Sequence, residues 1–192
     1  MNRINKHITV VDNFVDTKCC KQLFQYLINN TNQPYHNDNN MPWFIGNNIF
    51  YQNITDAKIK TTVKNINYAV SNLISYLHNI EIYPHFCDLV LWREGQHMMR
   101  HVDDGSNLLN DEGNCLKMRK YSAIIYLNEG YIGGETFLRL TKTKDYISTP
   151  KTGSLISFRS DDKSAHGVKI IEKGIRGTIA MWFCTDKKYC QM

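Results

Sequence analysis

Three side chains in this sequence have the types and spacing to hold a metal ion. His101 and Asp103 are separated by one residue. On an extended strand residues i and i+2 share a face, so the imidazole and the carboxylate would converge. His166 follows 63 residues later, in Ser164-Ala165-His166-Gly167-Val168, where a new strand is expected to start. One His and one carboxylate suit Fe(II), Mn(II) or Zn(II). Two His and one carboxylate on one face of an octahedron leave three open positions, enough for a bidentate 2-oxo acid and dioxygen together.

Arg176 lies ten residues after His166 and opens the apolar run Gly177-Thr178-Ile179-Ala180-Met181-Trp182-Phe183. With a hairpin between them, Arg176 is expected to return to the same sheet interior as His166. A buried guanidinium needs an anion, and its planar fork matches a carboxylate in bidentate fashion. The distal carboxylate of 2-oxoglutarate is the expected partner. Taken singly each feature has an ordinary explanation: HxD arises by chance, a strand-end His can be a hydrogen-bonded residue, and an Arg can sit in a surface ion pair.

Elements must position these residues. Asp16 or Thr17 can cap a helix with apolar positions Cys20, Leu23, Phe24 and Leu27, and a second helix follows Thr55-Asp56 with the stripe Ile59, Val63, Ile66, Val70, Leu73 and Leu77. The short run Ile8-Thr9-Val10-Val11 suits a strand. The polar stretch Asn29 to Asn40 reads as a loop. From about residue 80 short β-branched and aromatic runs predict strands near Ile82–Trp92, Tyr121–Leu127, Glu135–Leu140, Ser154–Phe158, Gly167–Ile171 and Gly177–Cys184. The expected fold is mainly β, a jelly roll braced by N-terminal helices. Residues 1–80 would be a helical support region of the same domain and residues 81–188 the oxygenase core. The polar segment Asp104 to Lys117 is expected to be a mobile loop that closes over substrate.

Composition narrows the class. At 192 residues, 42% hydrophobic and 21% charged, the chain has the make-up of one soluble domain. No apolar run approaches the roughly 20 residues that span a bilayer. The first residues show no apolar h-region, which predicts a cytoplasmic, intracellular protein. Six cysteines without a CxxC pair fit free thiols. A net charge of +5, spread along the chain, offers no nucleic-acid arm and no membrane patch.

From about Ile82 to Asp186 the sequence resembles the Fe(II)/2-oxoglutarate dioxygenases of the prolyl 4-hydroxylase type, and looks especially like the intracellular branch containing the hypoxia-inducible-factor prolyl hydroxylases. The matching pieces are Arg100-His101-Val102-Asp103, Tyr126-Leu127-Asn128, Gly133-Gly134-Glu135-Thr136-Phe137, Pro150-Lys151-Thr152-Gly153, His166, and Arg176 with Trp182 six residues on. The resemblance implies a double-stranded β-helix, or cupin-like jelly roll, and oxidative decarboxylation of 2-oxoglutarate by Fe(II) and O2, with ascorbate as a reductant. It implies that His101, Asp103 and His166 hold the metal and that Arg176 meets the distal carboxylate. Tyr126 would add a hydroxyl, with Thr136 and Thr178 in the same pocket. Arg119 and Trp182 match positions that face the prolyl substrate, a residue in a protein or peptide. The chain departs from the family where an aromatic is usual near the entrance: Trp92 lies nine residues before His101, and Met98 three before.

Rival readings place different chemistry on the same residues. His97 and His101 form HxxxH, a zinc pair if helical, but without the Glu of a zinc protease. A non-catalytic cupin-like module would share the fold without needing Arg176. Nucleic-acid demethylases of the AlkB type place their Arg further from the distal His and add a second. Plant-type small-molecule oxygenases share the ten-residue offset in longer chains, and a lysyl residue or free amino acid is the alternative substrate.

Overall fold

Two aspartates start the helices. Asp16 caps α1 (Thr17–Asn30), its carboxylate accepting from the Cys19 N–H at 2.9 Å, and Asp56 caps α2 (Ala57–His78) by accepting from Lys58 and Ile59, each at 2.9 Å. Asn79 ends α2 in the left-handed region, φ 52°. The structure is a computed structural model and describes residues 1–31, 47–106 and 115–192. Asn29 and Asn30 belong to α1 rather than to the expected loop, whose residues 32–40 lie outside the described residues.

The α1 face buries Cys20, Leu23 and Leu27, as its period predicts. On α2 the outcome differs. Val63, Ile66, Asn67, Val70, Ser71 and Ile74 are buried, while Ile59, Leu73 and Leu77 are half-buried. A stripe of alternating three- and four-residue steps has period 3.5 and drifts across the face of a straight helix. Ser71 tolerates burial because its hydroxyl donates to the Ile82 carbonyl where the chain enters the first core strand.

Among the described residues thirteen strands follow: β1 (Asn2–Arg3), β2 (Ile8–Val11), β3 (Asn47–Phe50), β4 (Tyr83–Trp92), β5 (Met98–His101), β6 (Tyr121–Tyr126), β7 (Ile132–Gly133), β8 (Thr136–Arg139), β9 (Asp145–Ile147), β10 (Leu155–Arg159), β11 (His166–Val168), β12 (Ile171–Lys173) and β13 (Arg176–Cys184). The major sheet has the order β1-β2-β10-β6-β13-β4-β3, the minor sheet β5-β11-β8-β9, and β12 pairs with β7. Residues 1–80 are therefore not only a helical support: they add β1, β2 and β3 to the major sheet, because short runs such as Ile8–Val11 find a partner in β10. The expected strand Gly167–Ile171 divides into β11 and β12, which pair in different sheets.

The two faces of the major sheet have different tasks. Along β13, Ile179, Met181 and Phe183 join Leu23, Leu27, Val63 and Val70 of the helices in the main core. Arg176, Thr178, Ala180 and Trp182 point the other way, into a cleft between the sheets. Strand β4 repeats the pattern, with Cys87, Leu89 and Leu91 in the core and Phe86, Asp88, Val90 and Trp92 on the cleft side. The minor sheet closes over that side: Leu138 packs on Tyr126, Ile156 and Phe158, and Val168 on Val90 and Trp92. Among the described residues no helix is long and apolar enough to cross a membrane.

Candidate active site

The cleft between the sheets has a volume of about 330 Å³, and His101, Asp103 and His166 all line it. His101 ends β5 and faces His166, the first residue of β11, across one antiparallel register, with ring centroids 4.3 Å apart. Asp103 is not on the strand as expected. The chain leaves β5 at His101, and Asp103 sits in the following turn, its N–H donating to the Ser160 carbonyl at 2.9 Å. The turn still delivers the carboxylate: Oδ1 is 3.5 Å from His101 Nε2, and Oδ2 is 3.4 Å from His166 Nε2. Among the described residues these three form the one group of His, Cys, Asp or Glu that could hold a metal ion, with ligand atoms all within 4.8 Å of one another. His97, the other half of the HxxxH reading, is exposed and outside this group.

Electrostatics prepare the donors. Burial pushes the His166 imidazole down to about 4 against the pull of Asp103, so at neutral pH it is uncharged with a lone pair to offer. For Asp103 burial acts to raise the carboxyl, but His166, His101 and the Ser122 hydroxyl prevail and hold it well below the usual carboxylate range. Burial would lower His101; hydrogen bonding and charge from Asp103 outweigh it and raise the imidazole. His101 Nδ1 lies 2.9 Å from the Met99 carbonyl, which can only accept. The ring nitrogen must donate there, leaving Nε2 turned to the site. An ionised carboxylate and imidazole nitrogens in one cluster are the donor set that suits Fe(II).

Arg176 occupies the inner end of the cleft, 1% exposed. One guanidinium nitrogen donates to Thr136 Oγ1 at 3.0 Å. The Tyr126 hydroxyl lies 2.8 Å from the same Thr136 oxygen and 3.0 Å from Ser148 Oγ. The rings of Trp92 and Tyr126 flank the guanidinium at 5.6 and 5.3 Å. Its Nε is buried without a hydrogen-bond partner, and the Tyr131 hydroxyl lies beside the guanidinium, whose charge opposes the upward push of burial on the phenol. A buried cation with an unused N–H beside a ring of hydroxyls fits an anion with several acceptor oxygens. Gly134, at φ +69°, permits this approach: a Cβ there would come within 2.3 Å of Ile171 Cδ1 and 3.2 Å of Arg176 Cδ. Thr178 lies on β13 two residues from Arg176, with the same facing.

His166 and Arg176 do not share a sheet, contrary to expectation. His166 belongs to the minor sheet and Arg176 to the major one, because β12 turns aside to pair with β7 instead of completing a hairpin. The two side chains meet across the cleft.

At the outer end Arg119 stacks on Trp182, 4.4 Å from the ring centre, and 5.8 Å from that of Phe86. Met98 lines the wall. Residues 107–114 of the loop expected to close over substrate lie outside the described residues. Several groups in and around the cleft are not marked by the motifs: Ser122 against Asp103, Ser148 and Tyr131 near Arg176, and buried Asp88 with half-buried Asn48. Alternation along β6 from Tyr126 through Ile124 would have found Ser122; nothing local marks the others.

The family model of the 2OG-Fe(II) oxygenase superfamily matches residues 84–184. Human prolyl 3-hydroxylase 2 is 37% identical over 94 residues, covering 44% of this chain but only 13% of the human protein's length. Chicken (Gallus gallus) prolyl 3-hydroxylase 1 is 36% identical over 100 residues, covering 47% of this chain and 14% of that protein. Among solved structures, a prolyl hydroxylase from Trichoplax adhaerens, in complex with a hypoxia inducible factor oxygen degradation domain peptide fragment, superposes with TM-score 0.72 at 21% identity, covering 96% of this chain and 86% of that one. A Pseudomonas putida prolyl-4-hydroxylase gives 0.70 at 18% identity, covering 94% of each chain. At such identities the likeness shows the fold, the double-stranded β-helix expected from the motifs. The family match covers just over half of the sequence, and this chain belongs to the 2OG-Fe(II) oxygenase superfamily, whose chemistry works with Fe(II), 2-oxoglutarate and O2.

Proposed function

We propose that this chain hydroxylates a prolyl residue in a protein or peptide, converting 2-oxoglutarate and O2 to succinate and CO2 as one oxygen atom enters the substrate C–H bond. In this reading His101, Asp103 and His166 hold Fe(II). Arg176 binds the distal carboxylate of 2-oxoglutarate, with Tyr126, Thr136 and Thr178 completing that pocket. Bound iron supplies the oxidising chemistry; the protein orients both substrates and keeps water away. Residues 81–188 form the catalytic core, and residues 1–80 brace it.

The observation that carries the reading is Arg176 at the closed end of the cleft, buried with an unused Nε, facing the His/Asp/His cluster. A non-catalytic module has no need of that cation. The prolyl assignment is supported at the opposite end, where Arg119 and Trp182 form a stacked wall suited to an apolar ring with a neighbouring amide. It is supported too by the names of the relatives. Cysteines without a CxxC pair fit an intracellular setting.

The test is succinate release with Fe(II), followed by mass spectrometry of proline-containing peptides. Hydroxyproline in the product supports the assignment, and chromatography against 3- and 4-hydroxyproline standards reads the position. Oxygen found only on lysine, a free amino acid or a small molecule refutes the prolyl substrate. No succinate from folded, metal-loaded protein refutes the reading as a whole.

A further inference from the structure

Asp103 rests on a relay of hydroxyls. Ser122, on β6, donates to Asp103 Oδ2 at 2.6 Å, and Ser122 Oγ lies 2.8 Å from Ser160 Oγ. Both serines are buried, 2% and 1% exposed. An ionised carboxylate only accepts, so the single Ser122 proton goes to Asp103. Ser160 must then donate to Ser122, which fixes the direction of the whole relay. The Ser160 carbonyl also accepts the N–H groups of Asp103 and Asp104 at 2.9 and 3.1 Å. One residue thereby holds both the backbone of the turn and the far end of the relay.

Asp103 comes from a turn, not from a strand, so no sheet ladder fixes its carboxylate. Its two oxygens have different surroundings. Each faces an imidazole, Oδ1 at 3.5 Å from His101 Nε2 and Oδ2 at 3.4 Å from His166 Nε2, but only Oδ2 also accepts the Ser122 hydroxyl. A carboxylate free to rotate about its last bond would lose that orientation. Groups that hydrogen-bond to a metal ligand commonly fix its geometry and raise metal affinity.

We propose that Ser122 is a positioning residue that orients Asp103 for the metal by holding one carboxylate oxygen, leaving the other for the ion, with Ser160 locking the Ser122 hydroxyl. This rests on the assignment of His101, Asp103 and His166 as the metal site.

The experiment measures Mn(II) affinity of the full chain by calorimetry and the visible absorption of its Co(II) form. The proteins compared are wild type, Ser122→Ala, Ser122→Thr, Ser160→Ala and His166→Ala, with each melting temperature recorded. Ser122→Ala is expected to bind Mn(II) at least about tenfold more weakly and to shift the Co(II) bands while still melting cooperatively above the assay temperature. Ser122→Thr, which keeps the hydroxyl, restores both. Ser160→Ala moves them in the same direction by less, and it stands in if Ser122→Ala does not fold. Wild-type affinity and spectrum in Ser122→Ala and Ser160→Ala, alongside impaired His166→Ala, overturn the role of Ser122 and leave the metal site standing. Equal Mn(II) affinity in wild type and His166→Ala overturns both.

Discussion

His166 and Arg176, ten residues apart in the chain, stand on opposite sheets and face each other across one cleft. The proposed metal site and the proposed co-substrate pocket thus draw on different layers. Changes on one side can disturb binding of one component while sparing the other.

Replacing His166 by Ala removes one of three donors and is expected to lower succinate production at least about a hundredfold, the upper part of the range for metal-site losses. His166 is uncharged at neutral pH, and the Asp103 carboxylate it leaves behind keeps the Ser122 hydroxyl and His101 as partners. Circular dichroism and a melting curve should show the fold retained.

Replacing Arg176 by Lys keeps a charge but loses the fork that serves Thr136 and the unused Nε. The KM for 2-oxoglutarate should rise on the order of tenfold to a hundredfold, the worth of one or two charge-assisted hydrogen bonds. Steady-state titration of 2-oxoglutarate checks this, and an unchanged KM would remove Arg176 from the co-substrate pocket.

Gly134→Ala tests the same pocket from behind. An added Cβ would strike Ile171 and crowd Arg176 Cδ at a positive φ, so the loop must shift. Stability should fall by about 1–3 kcal/mol, and the KM for 2-oxoglutarate should rise with it.

Trp182→Ala removes the surface on which Arg119 stacks. The KM for a peptide substrate is expected to rise about tenfold, more than the KM for 2-oxoglutarate, since loss of one aromatic contact is worth about 1 kcal/mol or more. Comparing the two KM values in one variant reads the split.

Asp88 gives the fold a pH dependence. Burial drives its carboxyl from 3.8 up to about 7, against the opposing charge of Arg119 and the hydrogen bond from Asn48. Between those values the folded state binds a proton that the unfolded state has lost, so stability falls as pH rises from about 4 to about 7. The penalty at pH 8 is on the order of 4 kcal/mol at most. Asp88→Asn should therefore gain stability over wild type at pH 8 and not at pH 4, as urea unfolding at the two pH values would show.

The sequence exposed what is periodic or chemically rare. Strands β4, β6 and β13 announce themselves by β-branched and aromatic runs, and His101, Asp103, His166 and Arg176 by type and spacing. Contacts decided elsewhere stayed hidden. The turn that carries Asp103 depends on the Ser160 carbonyl, 57 residues away. The turning aside of β12 depends on β7, which has only two residues. The buried face of α2 includes Asn67 and Ser71 because the sheet beneath it, not its own period, selects that face. Asp88 reads as an ordinary charged residue until the fold covers it.

Strand β13 carries Arg176 at one end of the cleft face and Trp182 six residues later at the other. At about 3.3 Å per residue this is a span of about 20 Å, set by backbone geometry alone. In the proposed reading the strand works as a ruler between the guanidinium that would anchor the co-substrate and the entrance. Substitutions at the entrance can retune which substrate is admitted without moving the anchor. Adding or deleting one residue between them would turn half the graduations toward the helices, so this interval can change its letters but not its length.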